Sequence, residues 1–186
     1  MDRRIKYTQR VIREEFINLL RTNNVSKITV SEICKRADVN RATFYKYYDN
    51  PYDLLIKTEG NLLDDLQIKI ELNGNRNFSS ILRIVLEDLK ENADIYTVLF
   101  SKNGDLAYRE RIFALCYQEN MKYISNSFPA LSDTQKEWLY DFMLEGSNGI
   151  INNWIKNGMI ESIDDIVSFT QSIANTIHNN LSDNLH

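Results

Sequence analysis

The stretch ITVSEICKRADVNRATFYKYY, residues 28–48, carries two short helical stripes with room for only a tight turn between them. Val30, Ile33, Cys34 and Ala37 recur at three- and four-residue steps, which on a helix gathers them on one face and leaves Ser31, Glu32, Lys35 and Arg36 outside. Asp38 follows; its short polar side chain tolerates the left-handed backbone that ends one helix and redirects the chain, and Val39 plugs the angle. Asn40 is a favoured N-cap, able to accept from the backbone N–H of Ala42 or Thr43, so a second helix is expected from Arg41. Asp49-Asn50-Pro51 stops it. Proline disfavours helix for the residue before it and suits the first position of the helix that follows.

Two short helices across such a turn read as a helix-turn-helix, whose second helix enters the major groove of DNA. Phe44 and Tyr48, four apart, share its inward face, and Ala42 is small enough for close approach to base edges. Arg41, Thr43, Tyr45, Lys46 and Tyr47 are then left for nucleic acid, the cations to read guanine or neutralise phosphate and the hydroxyls to position the backbone. The overall charge of -4 argues against such a partner until it is divided. The first 50 residues hold eleven Lys and Arg against six Asp and Glu, a net +5, and the rest hold eleven against twenty, a net -9. A basic N-terminal quarter on an acidic body fits a small DNA reader joined to a domain that does not touch DNA.

The run I-T-V-S-E-I-C-K-R-A-D-V-N-R-A-T-F-Y-K-Y-Y-D-N-P-Y-D-L-L resembles the N-terminal DNA-binding domain of the TetR family of bacterial transcriptional regulators, over about residues 10–63. Thr43-Phe44-Tyr45-Lys46-Tyr47-Tyr48 meets that family's threonine, hydrophobic, tyrosine, any, histidine-or-aromatic, aromatic signature. The resemblance implies that Thr29, Thr43, Lys46 and Tyr47 contact phosphates and that Ser31, Arg41, Ala42 and Tyr45 face the groove. Two positions depart from the pattern: Asp38 replaces the usual turn glycine, and Pro51 replaces the usual Lys or Arg, removing one phosphate contact.

The rest of the chain predicts helices throughout, an all-α fold with an N-terminal three-helix helix-turn-helix domain and a C-terminal helical bundle domain. Ile5, Ile12, Phe16, Leu19 and Leu20 place a first helix over residues 4–22. Pro51 opens a long helix to about residue 72, where Asn73-Gly74-Asn75-Arg76-Asn77 breaks it. The domains expected are therefore 1–50 for DNA and 51–186 for effector binding and dimerisation, with the helix 51–72 linking them. Ser79 or Ser80 is the expected cap of the next helix, Lys102-Asn103-Gly104 ends the short one after it, and further helices follow over 106–128, 133–157 and 163–180. This half resembles the corresponding region of a TetR branch that includes an activator of dihydroxyacetone kinase expression.

Catalysis is not expected. The only histidines are His178 and His186, near the chain end, and adjacent carboxylates such as Asp64-Asp65 diverge by about 100° on a helix. Cys34 and Cys116 have no metal-like spacing and read as core residues, so neither metal nor cofactor is expected. No run of about 18 apolar residues and no signal-peptide core are present, which predicts a cytoplasmic protein with no membrane partner. A concentration of aromatic and sulfur side chains in the middle helices makes Tyr96, Phe100, Tyr117, Met121, Trp138 and Phe142 the candidate wall of an apolar or aromatic small-molecule site, with Tyr140 as a further polar point. Gly146 and Gly149 weaken the interior of a helix and invite close approach of a neighbour. Together with Ile150, Trp154, Phe169, Ile173 and Ile177 they form the expected homodimer interface, a four-helix bundle across a two-fold axis. The sequence thus reads as a ligand-controlled, dimeric repressor of a palindromic operator; a helical protein-interaction adaptor with a vestigial helix-turn-helix is the other reading.

Overall fold

The computed structural model describes residues 3–73, 77–101 and 106–184. The breaker residues 74–76 and 102–104 and the terminal His186 lie outside the described residues. Among the described residues the regular structure is helical, with no strand. In chain order the α-helices are α1 Arg3–Leu20, α2 Val30–Arg36, α3 Arg41–Tyr45, α4 Pro51–Leu72, α5 Phe78–Glu91, α6 Ala93–Leu99, α7 Leu106–Ser127, α8 Asp133–Lys156 and α9 Ile163–Asn184. A 3-10 turn at Val25–Lys27 leads into α2. None of these helices is long and apolar enough to cross a membrane.

The chain divides into two compact units, Met1–Asp65 with Ala93–Arg109, and Leu66–Asn92 with Glu110–His186. The sequence boundary at residue 50 falls inside the first, and α4 contributes residues to both. In the first unit Ile12, Phe16 and Leu20 of α1, Ile33 of α2, Phe44 of α3 and Leu54 of α4 are all without solvent exposure. Helix α1 packs on α2 and α6, and α2 on α3, so one small core fixes the helix-turn-helix. Contact with α1 also explains why α6 belongs here, with Arg21 Nη2 at 2.7 Å from Asp94 Oδ1.

In the second unit α5 packs against α9. Helix α5 begins at Phe78 because Asn77, not Ser79 or Ser80, is its cap: Asn77 Oδ1 accepts from Ser80 N at 2.9 Å and from Ser80 Oγ at 2.8 Å. The amide side chain reaches the first-turn donors, and Ser80 serves as its partner. Helix α8 opens on a reciprocal capping box between Ser132 and Gln135. Its other end is closed by Gly158 at φ +81° and Met159 at φ 57°, with Met159 N donating to Trp154 O at 2.8 Å. Gly158 suits that left-handed position because it has no Cβ to clash. Helix α9 continues to Asn184, past the expected end near residue 180.

Candidate functional site

The turn between α2 and α3 is built from local chemistry. Thr29 caps α2, accepting from Glu32 N at 3.2 Å while its own Oγ1 and N donate to Glu32 Oε2 at 2.7 and 2.9 Å. Those bonds hold the Glu32 carboxyl below the usual carboxylate range, the side-chain bond first. Asp38 adopts φ 49°, the left-handed conformation the turn requires, and Val39 N donates to Cys34 O at 3.0 Å. Asn40 caps α3 by accepting from Thr43 N at 2.7 Å. With Phe44 buried as the inward anchor, Arg41, Ala42, Tyr45 and Lys46 are exposed, Tyr45 by 54%, while Thr43 and Tyr47 are half-buried. Ser31 and Thr29 are exposed at the start of α2. All eight residues singled out for DNA therefore lie on α2, α3 or the caps and turn beside them. The Thr29 hydroxyl proton is already given to Glu32, so inside this surface Thr29 acts first as a cap.

Two further residues, Asp53 and Lys57 of α4, hold the turn that follows α3, and the sequence reading gave neither of them a role. Lys57 Nζ, on α4, donates to Tyr47 O at 3.0 Å and to Asp53 Oδ2 at 2.9 Å, and sits 5.7 Å from the Tyr48 ring centroid. Asp53 also accepts from Asp49 N at 2.9 Å. The Lys57 bond, then the Asp49 N–H, hold the Asp53 carboxyl below its ordinary value. The missing Lys or Arg at the start of α4 thus has no replacement at Pro51, but Lys57 ties the α3 turn from six residues further on. Lys6, Arg10 and Arg13 of α1 line an open groove of about 900 Å³ with Lys46, Tyr47 and Lys57. Four cations of the first 50 residues thus share one groove with Lys57, with Asp64 beside them.

In the second unit a cavity of about 50 Å³ lies between α5, α7 and α8. Its wall is largely apolar, including Leu82, Ile112, Cys116, Tyr140 and Met143, with Asn120 among them. Burial pushes the Cys116 thiol up to about 12, and burial, followed by neighbouring groups led by Cys116, pushes the Tyr140 phenol up to about 12. The six residues expected to form an effector wall are not brought together. Tyr96 is wholly buried in the first unit, stacked on Tyr108 at 6.2 Å and edge-on to Phe100 at 6.0 Å. Its phenol is packing for that unit and not part of the second unit's cavity. Tyr117 is at the surface, donating to Glu137 at 2.7 Å, a bond that raises its pKa, and meeting Tyr140 edge-on. Met121 packs at the edge of the cluster of Ile124, Phe128, Leu131, Leu139 and Tyr140. Trp138 and Phe142 project outward, 66% and 65% exposed.

Helices α8 and α9 carry the outer apolar face. Phe142, Gly146, Ile150, Ile173 and Ile177 line a surface groove of about 120 Å³, and Phe169 is exposed on the same side of α9 as Ile173 and Ile177. A Cβ added at Gly146 or Gly149 would meet nothing within 4 Å, so among the described residues no helix uses the space that those glycines leave. Trp154 departs from the expected interface. It is buried in its own chain, 2% exposed, because its indole N–H donates to Glu161 O at 3.0 Å across the end of α8. Among the described residues, no group of three His, Cys, Asp or Glu side chains could hold a metal ion.

Residues 17–57 match the family model for bacterial regulatory proteins of the tetR family, and residues 76–176 match that for a transcriptional regulator C-terminal region. A stretch of 96 residues is 31% identical to the HTH-type dhaKLM operon transcriptional activator DhaS of Lactococcus lactis subsp. lactis (strain IL1403), covering 50% of this chain and 49% of that protein. The match thus spans about half the length of that relative. The structure of a dihydroxyacetone kinase operon activator DhaS is similar with a TM-score of 0.63 at 23% identity, over 92% of this chain and 96% of that one. A TetR transcriptional regulator from Streptococcus agalactiae 2603V gives a TM-score of 0.64 at 24% identity, over 92% and 96%. These two structures speak for the fold, and the two family models for descent. A capped helix-turn-helix with its reading face exposed, followed by a helical second unit matched over most of its length, belongs to a DNA-binding transcriptional regulator and not to an enzyme: the chain is a member of the TetR family of bacterial transcriptional regulators.

Proposed function

We propose that this regulator binds a palindromic operator as a homodimer in the cytoplasm, under control of a small, largely apolar effector held by its second unit. The observation that carries the operator reading is α3: one buried anchor, Phe44, fixes the helix while Arg41, Ala42, Tyr45 and Lys46 stay exposed beside the basic groove of α1. Arg41 and Tyr45 read base edges, with Ser31 and Ala42 facing the groove. Lys46, Tyr47, Thr43 and Thr29 position the phosphates. Phe169, Ile173, Ile177, Ile150 and the two glycines pair with the same face of a second copy, as the uncovered space over Gly146 and Gly149 suggests. A two-fold axis then sets the recognition helices about 34–36 Å apart, one turn of the duplex.

Control follows as a population shift: an effector that favours one pose of α4 changes the separation of the recognition helices, and only one separation fits successive grooves. The sign of regulation is fixed by operator position, since occupancy over a promoter represses and occupancy upstream activates. Selection of bound sequences from a random duplex pool tests the proposal. It is expected to return a two-fold symmetric site, and a pool that stays random after repeated rounds contradicts it.

A further inference from the structure

The cavity between α5, α7 and α8 has one polar atom with no hydrogen-bond partner among the described residues. Asn120 is 7% exposed, lines the cavity, and its Oδ1 has no hydrogen-bond partner. An unpaired buried acceptor is costly and becomes favourable once a donor reaches it. Two other polar groups on the wall, Ser147 and Cys116, do not offer the same opening. Ser147 Oγ gives its proton to Met143 O at 2.7 Å, and the Cys116 thiol keeps its proton because burial disfavours the thiolate. Among the described residues no Lys, Arg, Asp, Glu or His side chain lines the space, so an ionised ligand would leave water without a counter-charge.

We infer that this cavity binds a neutral, mainly apolar molecule carrying one hydrogen-bond donor, which Asn120 Oδ1 accepts. The inference rests on the proposed effector control and adds the ligand's chemical class and its anchoring residue. Room for a ring comes from Met143: it lines both this cavity and the adjoining groove of about 120 Å³, as do Phe78 and Ser147, and its unbranched thioether moves readily between rotamers. The ring lies against Phe78 and Tyr140, and its donor points toward α7.

Three one-ring probes separate the requirements: phenol has the donor, anisole replaces it with an ether, and benzoate carries a charge. Titrated into the full chain and followed by protein NMR, phenol is expected to bind about tenfold tighter than anisole, the worth of one buried hydrogen bond, with benzoate weakest. A merely greasy pocket gives the reverse order for phenol and anisole, because anisole leaves water more easily. Asn120→Leu keeps the side-chain size and is expected to abolish the preference for phenol. Val85→Phe, which fills the cavity from α5, is expected to remove binding of both neutral probes and decides the site if Asn120→Leu does not fold. Anisole or benzoate matching phenol, a phenol preference that survives Asn120→Leu, binding undiminished by Val85→Phe, or no saturable binding of any probe overturns the inference. Operator binding measured on the same samples without probe keeps the two readings apart: its absence beside an intact phenol preference refutes the operator proposal and leaves the cavity assignment standing.

Discussion

Glu32 and Asp53 are exposed or half-buried carboxylates whose work is to hold the ends of the DNA-reading helices, and both titrate below their ordinary range. A depressed folded-state pKa means that the stabilisation is fully present above the ordinary value of about 4 and is lost as pH falls through the depressed values. The helix-turn-helix should therefore keep its caps down to about pH 4 and lose them below it, as carboxyl NMR titration of the two residues would record. Thr29→Val should raise the Glu32 value toward the ordinary range, the bond from the residue-29 N–H still holding it down, and cost about 1 kcal/mol of stability, the typical worth of an N-cap. Lys46→Ala should instead leave stability unchanged, weaken binding to all duplexes alike and flatten the salt dependence by about one unit. An unaltered slope would remove Lys46 from the phosphate contacts. The Asn40 cap was legible in the sequence because its partner, Thr43, lies three positions away. Lys57 was not, since it reaches back ten residues to the Tyr47 carbonyl, a contact fixed only by how α4 lies on the turn.

Helix α8 illustrates the opposite case, where local rules gave the element and not the use of its faces. Its span was readable, yet Trp154 is buried and Phe142 exposed, because helix rotation is set by packing against neighbouring helices. Asn120 was hidden for the same reason: a polar residue in a helix reads as surface until its orientation is known. Gly149→Ala offers a test with opposite signs on two readouts. In the isolated chain the new Cβ meets nothing within 4 Å, so the monomer should gain about 1 kcal/mol of helix propensity. In the proposed dimer the methyl intrudes on the partner helix, and sedimentation should show weaker association. Stronger or unchanged association would take Gly149 out of the interface. Helix α4 ends on a second tie, where Lys69 Nζ meets Asp88 Oδ1 at 2.7 Å and Glu91 Oε2 at 2.6 Å. Burial acts to lower the Lys69 pKa, but the bonds to Asp88 and Glu91 outweigh it and raise it. A raised folded-state value means that this stabilisation is complete below the ordinary lysine value and disappears as pH rises through the raised one. Lys69→Met, discounted for its partial exposure, should cost about 1 kcal/mol at neutral pH, checked by urea denaturation.

Taken whole, the chain was readable from sequence in its helical class and in the position of nearly every helix, since caps, breakers and 3.6-residue spacing are local signals. The grouping of α6 with the helix-turn-helix was not, because contact between α1 and α6 joins residues more than seventy positions apart. Dimerisation is likewise a property of a surface and not of a motif, and the operator proposal depends on it. Sedimentation of the chain with the duplex selected from a random pool measures that dependence directly, using wild type and the variant Ile173→Lys with Ile177→Lys. Two wild-type chains should bind each full palindrome, with affinity falling steeply as salt rises. The variant should sediment as a folded monomer that binds the full site far more weakly than wild type. One wild-type chain per palindrome, or a monomeric variant that holds the full site with undiminished affinity, would contradict the account.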